Sequence, residues 1–123
     1  MELLLRGRSI LVVEDEPIIA LDIADAFEQV GAEVVTSFSL REALGLVETD
    51  RWSAAVVDHL LQDGESSPLC QRLSERDIPF VVYTGFAQLG GACGQAEQVV
   101  KPADTGSLVA KITSLIDRHS ASS

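Results

Sequence analysis

The sequence predicts an α/β fold: a three-layer, doubly wound parallel sheet built from five strand–helix units. Two observations lead there. Short, nearly continuous apolar runs recur at SILVV (Ser9–Val13), EVVT (33–36), AAVV (54–57), FVVY (80–83) and QVV (98–100). Such runs suit strands covered on both faces. Between them lie segments with apolar residues at helical spacing, and this alternation argues for a parallel sheet with right-handed crossovers. A chain of 123 residues, 46% hydrophobic and 23% charged, supports one domain with its own core.

The elements follow in order. Residues 1–8 are a lead; Met1 to Leu5 is apolar but too short for a signal peptide. Pro17 suits the first position of the first helix, where a missing N–H costs nothing. Ile19, Ile23, Phe27 and Val30 then form its stripe, and Gly31 stops it. Ser39 and Glu42 read as a capping box opening the second helix, with Leu40, Ala43, Leu44 and Val47 inward. The third follows Ser67-Pro68, with Leu69 and Leu73 inward. The fourth helical slot, AQLGGACGQA, carries three glycines, each costing about 1 kcal/mol in a helix interior. A short, frayed helix is expected there. The fifth runs from about Asp104, with Leu108, Ile112 and Leu115 inward, and Ser120–Ser123 reads as a disordered tail. The domain proper is thus residues 9–119.

Composition excludes several functions. A formal net charge of −10 repels nucleic acid phosphates. No apolar run approaches membrane-spanning length, and a cytoplasmic protein is expected. Cys70 and Cys93 lack ligand-like spacing and are expected as reduced thiols. No Cys/His cluster suggests zinc.

In a doubly wound sheet, chemistry collects beyond the carboxyl ends of the strands. Glu14 and Asp15 follow the first strand, Asp58 the third, Thr84 the fourth and Lys101 the fifth. Any one of these would pass as a loop residue. Jointly they form a set in which each residue type fits one task. Clustered carboxylates are unfavourable unless a cation shares the site, and all-oxygen ligands select Mg²⁺ or a similar ion. An aspartate can attack phosphorus to give an acyl phosphate, with Thr84 and Lys101 holding the phosphoryl oxygens. Asp58 is the best nucleophile, standing alone after the central strand. Glu16 reads as a helix-start acid and Asp63 as a turn residue before Gly64.

The set Glu14-Asp15, Asp58, Thr84 and Lys101-Pro102, with the run DHLLQDG, resembles the receiver domain of two-component response regulators. The similarity covers about Ser9 to Arg118. It implies the flavodoxin-like strand order 2-1-3-4-5 and phosphorylation of Asp58 by a histidine kinase or phosphotransfer protein. It implies Mg²⁺ held by Glu14, Asp15, Asp58 and the Leu60 backbone carbonyl, and a cis bond before Pro102. The chain would not be an enzyme beyond its own phosphoryl transfer and dephosphorylation.

Most receivers carry an aromatic three residues before the lysine; here that position is Gln98. Thr84, Gly85 and Phe86 resemble the FATGUY subgroup of stand-alone receivers, although Tyr83 and Ala87 depart from its pattern. Gly85 and the glycine-rich segment to Gly94 suggest a pliable switch, with Phe86 or Tyr83 as the aromatic that repacks. Both aromatics read equally well as core.

The alternative function is a phosphorylation-independent, receiver-like scaffold. An aspartyl phosphatase is disfavoured, because Leu60 stands where its general acid would be. The chain reads as a single-domain regulator or a piece of a larger protein, with output through a downstream protein target. Homodimerisation through the face of the fourth helix, fifth strand and fifth helix is a further expectation.

Overall fold

The structure is a computed structural model that describes residues 3–49, 51–85, 91–94, 96–101 and 104–122. Five strands form one parallel sheet: β1 (Ser9–Val13), β2 (Glu33–Ser37), β3 (Ala54–Asp58), β6 (Phe80–Thr84) and β7 (Glu97–Val100). Their order is β2-β1-β3-β6-β7, which is 2-1-3-4-5 when only sheet strands are counted. The two remaining strands, β4 (Leu60–Leu61) and β5 (Gly64–Glu65), make a small antiparallel hairpin after β3. The helices are α1 (Pro17–Glu28), α2 (Leu40–Thr49), α3 (Ser67–Glu75), α4 (Gly91–Gly94) and α5 (Thr105–Ser122). The predicted five-unit fold is the observed one.

The three central strands, β1, β3 and β6, are apolar over most of their length because both faces are covered, whereas the edge strands β2 and β7 are partly exposed. Alternate residues leave a strand in opposite directions. Leu11, Val13, Ala55, Val57 and Val82 therefore pack with Ala43 and Val47 of α2 and Leu69 and Leu73 of α3. Ile10, Val12, Val56 and Val81 pack with Ile23 and Phe27 of α1 and Leu108, Ile112 and Ile116 of α5. Ile116 is the buried residue in the last turns of α5, whereas Leu115, expected inward, is only half-buried.

Helix termini depart in detail from the expected chemistry. Pro17 opens α1, as its fixed φ favours. Ser39 Oγ accepts from the Glu42 N–H at 3.1 Å, the first half of the capping box. The return bond is displaced upstream: Glu42 Oε1 accepts from Phe38 N–H and from the Ser37 hydroxyl. Asp104 caps α5 by accepting from Ser107 N–H at 2.7 Å. The α5 backbone is helical through Ser122, beyond the boundary at residue 119 that composition suggested. Four residues of α4 form a helix in the glycine-rich slot, short as expected.

Two features were not anticipated. Cys70 of α3 and Cys93 of α4 form a disulfide, with Cα atoms 5.2 Å apart, in place of the expected pair of reduced thiols. Both cysteines sit in the apolar layer of α2 and α3, so the fold itself brings together residues separated by 23 positions. The lead is also part of the core. Leu5 is fully buried among α1, β1 and α5 residues, and its N–H donates to Val30 O at 2.8 Å. That fit depends on Gly31, whose φ is +95° and whose position would place a Cβ 3.1 Å from the Arg6 backbone. Gly31→Ala should therefore cost about 1–3 kcal/mol, read as a lower denaturant midpoint at unchanged m-value.

Candidate functional site

The site is built at the carboxyl ends of β1, β3, β6 and β7. Each acid or base of the predicted set is placed by a strand end, so sheet register fixes their spacing. Val13 of β1 lies opposite Val57 of β3, Asp58 opposite Tyr83, and Thr84 opposite Val100. Glu14 and Asp15 thus emerge beside Asp58, and Lys101 follows β7 next to Thr84. The Lys101 N–H donates to Thr84 O at 2.6 Å, which locks the two strand ends together.

Glu14, Asp15 and Asp58 each offer a carboxylate oxygen, and all three oxygens lie within 4.8 Å of one another. Glu14 is 2% exposed and Asp58 5%. One Glu14 oxygen accepts from the Glu16 N–H at 3.2 Å; the other, Oε2, is buried with no hydrogen-bond partner. Burial first, and the neighbouring Asp58 charge second, push the Glu14 carboxyl up to about 7. An orphaned oxygen beside two further carboxylates is what a hard cation would satisfy, and the donor set fits a divalent ion with oxygen ligands.

Lys101 Nζ donates to Asp58 Oδ1 at 3.0 Å and lies 5.0 Å from the centre of the Tyr83 ring. Burial acts to lower the ammonium's pKa, but the Asp58 hydrogen bond and the charges of Asp58 and Glu14 outweigh it and raise it. Lys101 is therefore a fixed positive charge at the site. Tyr83 belongs to the core on the α1–α5 side, which supports its reading as a core aromatic, with the added contact to Lys101. Thr84 is fully buried at the end of β6, and Gly85 follows with open space around it.

Other sequence-selected residues fall at the rim. Leu60 begins the β4–β5 hairpin, two positions after Asp58, with a half-exposed side chain. Glu16 takes the N-cap position of α1 but makes no side-chain capping bond; its N–H is instead held by Glu14. Gln98 Nε2 donates to Gly94 O at 3.4 Å, linking β7 to α4 where an aromatic was the usual expectation. Phe86, Pro102 and the bond before Pro102 lie outside the described residues.

Two residues with structural consequences escaped the sequence reading. Ser66 is fully buried, and its hydroxyl donates to the backbone oxygen of Asp58, tying the start of α3 to the site. A serine just ahead of Ser67-Pro68 was the available signal. Asp63, read as a turn residue, does more. Its two carboxylate oxygens accept from the N–H groups of Leu40 and Arg41 at 2.8 and 3.0 Å, which caps α2 from across the hairpin and holds the carboxyl below its usual range. Asp63→Ala should speed amide exchange in the first turn of α2 more than in α5, while Asp63→Asn should restore part of the protection.

No protein-family model matches the chain. Sequence relatives do. The chain is 32% identical over 117 residues to a probable transcriptional regulator, ycf27, of Cyanophora paradoxa, covering 90% of this chain and 49% of that protein. It is 33% identical over 119 residues to the photosynthetic apparatus regulatory protein RegA of Cereibacter sphaeroides, covering 88% and 65%. The chain thus spans about half to two thirds of the length of these relatives. Among solved structures, a CheY-like response regulator receiver domain protein from Methanospirillum hungatei superposes with a TM-score of 0.85 at 24% identity, covering 94% of this chain and 98% of that one. A CheY-like receiver domain from Methylobacillus flagellatus gives 0.76 at 26% identity, covering 88% and 98%. The fold is therefore that of CheY-like receiver domains, and in sequence the chain is similar to the receiver domain from Methylobacillus flagellatus and to the two regulators.

Proposed function

We propose that the chain is a phosphoaccepting receiver in a two-component phosphorelay, with Asp58 as the acceptor. The observation that carries this is the Asp58 carboxylate, buried, paired with Lys101 at 3.0 Å and flanked by two further acids within 4.8 Å. Such a carboxylate needs a cation to admit a phosphoryl group. Glu14, Asp15, Asp58 and the Leu60 carbonyl would hold Mg²⁺, which when bound supplies positive charge against the phosphoryl oxygens. Lys101 and Thr84 act on the same oxygens from the chain's own side. Asp58 attacks phosphorus, the donor imidazole leaves, and the acyl phosphate forms.

Sensor histidine kinases or histidine phosphotransfer proteins are the donors, and output passes by protein contact to a downstream target. Exposed apolar side chains beside the acidic edge support protein partners: Ile18 is 83% and Leu21 63% exposed on the first turns of α1. Nucleic acid is an unsuitable partner for a chain of net charge −10. No helix among the described residues is long and apolar enough to cross a membrane, and a cytoplasmic location fits a kinase partner. The face of α4, β7 and α5 is the candidate dimer surface, and residues 9–119 together with the buried lead ahead of them form the functional unit. The Thr84-Gly85-Phe86 run supports the FATGUY subgroup. The α4 segment and Gln98 are the candidate switch parts.

Acetyl phosphate with Mg²⁺ should add one phosphoryl group to the protein, seen by intact mass and removed by hydroxylamine. No adduct under these conditions, and none from a panel of histidine kinases, would reject the assignment.

A further inference from the structure

We propose that Cys70 and Cys93 form a thiol–disulfide site whose redox state sets how firmly α4 is held beside the acidic edge. The bond connects α3 to α4 and lies wholly in the core: both residues are essentially unexposed. Among the described residues, what it holds has few other anchors. With four residues, two of them glycine, α4 is far below the length at which a helix sustains itself. It packs chiefly on α3. The hydrogen bonds from neighbouring residues to its carbonyls are long: Ala96 N–H to Cys93 O at 3.3 Å and Gln98 Nε2 to Gly94 O at 3.4 Å.

The other end of the bond reaches the site. Asp58 O accepts from the Ser66 hydroxyl, Ser66 O accepts from the Cys70 N–H at 2.9 Å, and the disulfide then crosses to Cys93. A continuous path of hydrogen bonds and one covalent bond thus joins the Asp58 backbone to α4. The bond is a two-state element on that path, present or absent, and this is the physical requirement for coupling two places in a fold.

The chemistry needs a thiol reductant, either a protein dithiol or two molecules of a small thiol such as glutathione. Its thiolate attacks one sulfur, forming a mixed disulfide and releasing the other sulfur as a thiolate that takes up a proton. A second reductant thiolate attacks the mixed disulfide and releases the remaining cysteine sulfur, which is protonated. Two electrons and two protons pass to the cysteines, and the reductant is left as its disulfide. Local opening of α4 admits the attacking group. The reduced cysteines remain as small apolar side chains in the same layer, so the fold persists while α4 is freed. Coupling is reciprocal: whatever moves α4 also changes how readily the bond is reduced. The effect on phosphoryl transfer rests on the function proposed above; the redox chemistry and the α4 motion do not.

The full chain would be equilibrated in glutathione buffers of graded reduced-to-oxidised ratio, with free thiols trapped by alkylation and counted by mass. Amide exchange at α4 and acetyl phosphate labelling would be followed in both end states. The expected result is reversible passage between zero and two trapped thiols, with exchange at Cys93 and Gly94 about tenfold faster when reduced. The labelling rate should differ between the states by about threefold or more. Cys93→Ser and Cys93→Ala should show the reduced behaviour whatever the buffer. A pair that stays wholly oxidised or wholly reduced across the series overturns the proposal, as does exchange that ignores redox state. Equal labelling rates overturn the link to Asp58. Absence of labelling in both states, with exchange still redox-dependent, would instead remove the phosphoacceptor assignment and leave the tether standing.

Discussion

Replacing Asp58 with Asn should abolish the phosphoryl adduct formed from acetyl phosphate and Mg²⁺, a loss of roughly two orders of magnitude or more in labelling rate. An amide is not a nucleophile toward phosphorus at neutral pH, and neither neighbouring acid is placed to substitute. Glu14 is buried, with one oxygen already accepting from the Glu16 N–H. Asp15 follows β1, whereas the Lys101 ammonium is engaged by Asp58. The variant should still fold, because Asn retains an oxygen for Lys101 and adds no volume to the buried edge. Retained near-ultraviolet circular dichroism would establish that. Residual labelling at the wild-type rate, mapped to Glu14 or Asp15, would show that the nucleophile has been misassigned.

The second large effect concerns stability and proton binding. Glu14 titrates near 7 in the folded chain against 4.5 ordinarily. An acid whose folded pKa is raised binds more protons folded than unfolded, so stability falls as pH rises from about 4.5 to about 7 and then levels. The loss attributable to this carboxyl is of order 2–3 kcal/mol. Asp63 and Asp104, whose carboxyls are held low, act oppositely, but only at and below the ordinary carboxylate range. Between pH 5 and pH 7 those two carboxyls contribute little, and Tm without divalent ions should fall across the window by more than it does in Glu14→Gln. Mg²⁺ should restore Tm at pH 7.5 and do little at pH 5, where protons compete for the same oxygens. Glu14→Gln should flatten the slope, raise the metal-free Tm at neutral pH and weaken the Mg²⁺ response. A wild-type Tm unaffected by Mg²⁺ at pH 7.5 would defeat this account of the acidic cluster.

Strand positions were legible because the central strands β1, β3 and β6 are covered on both faces and read as apolar runs, while the partly exposed edge strands keep paired valines. The convergence of Glu14, Asp15, Asp58, Thr84 and Lys101 was legible for a related reason: each follows its strand directly, and parallel strands end on one edge. What stayed hidden depends on contacts between distant segments. Asp63 looks like a turn acid because its task, capping α2, lies 22 to 23 positions back along the chain. Cys70 and Cys93 carry no local signature, since the layer that brings them together is assembled from α2, α3 and the sheet. Leu5 reads as a loose lead until the end of α1 and Gly31 provide the surface it covers.

The burial of Leu5 bears on how the module can be transplanted. Its N–H is anchored to Val30 O, and Arg8 O accepts from Glu33 N–H, so the lead clasps the turn between α1 and β2 from outside the sheet. A chimera spliced at the first strand would leave a Leu-sized hole in the apolar layer that also holds Phe27 and Ile112. A splice ahead of Leu3 keeps the plug, which makes the lead an inseparable portion of any graft.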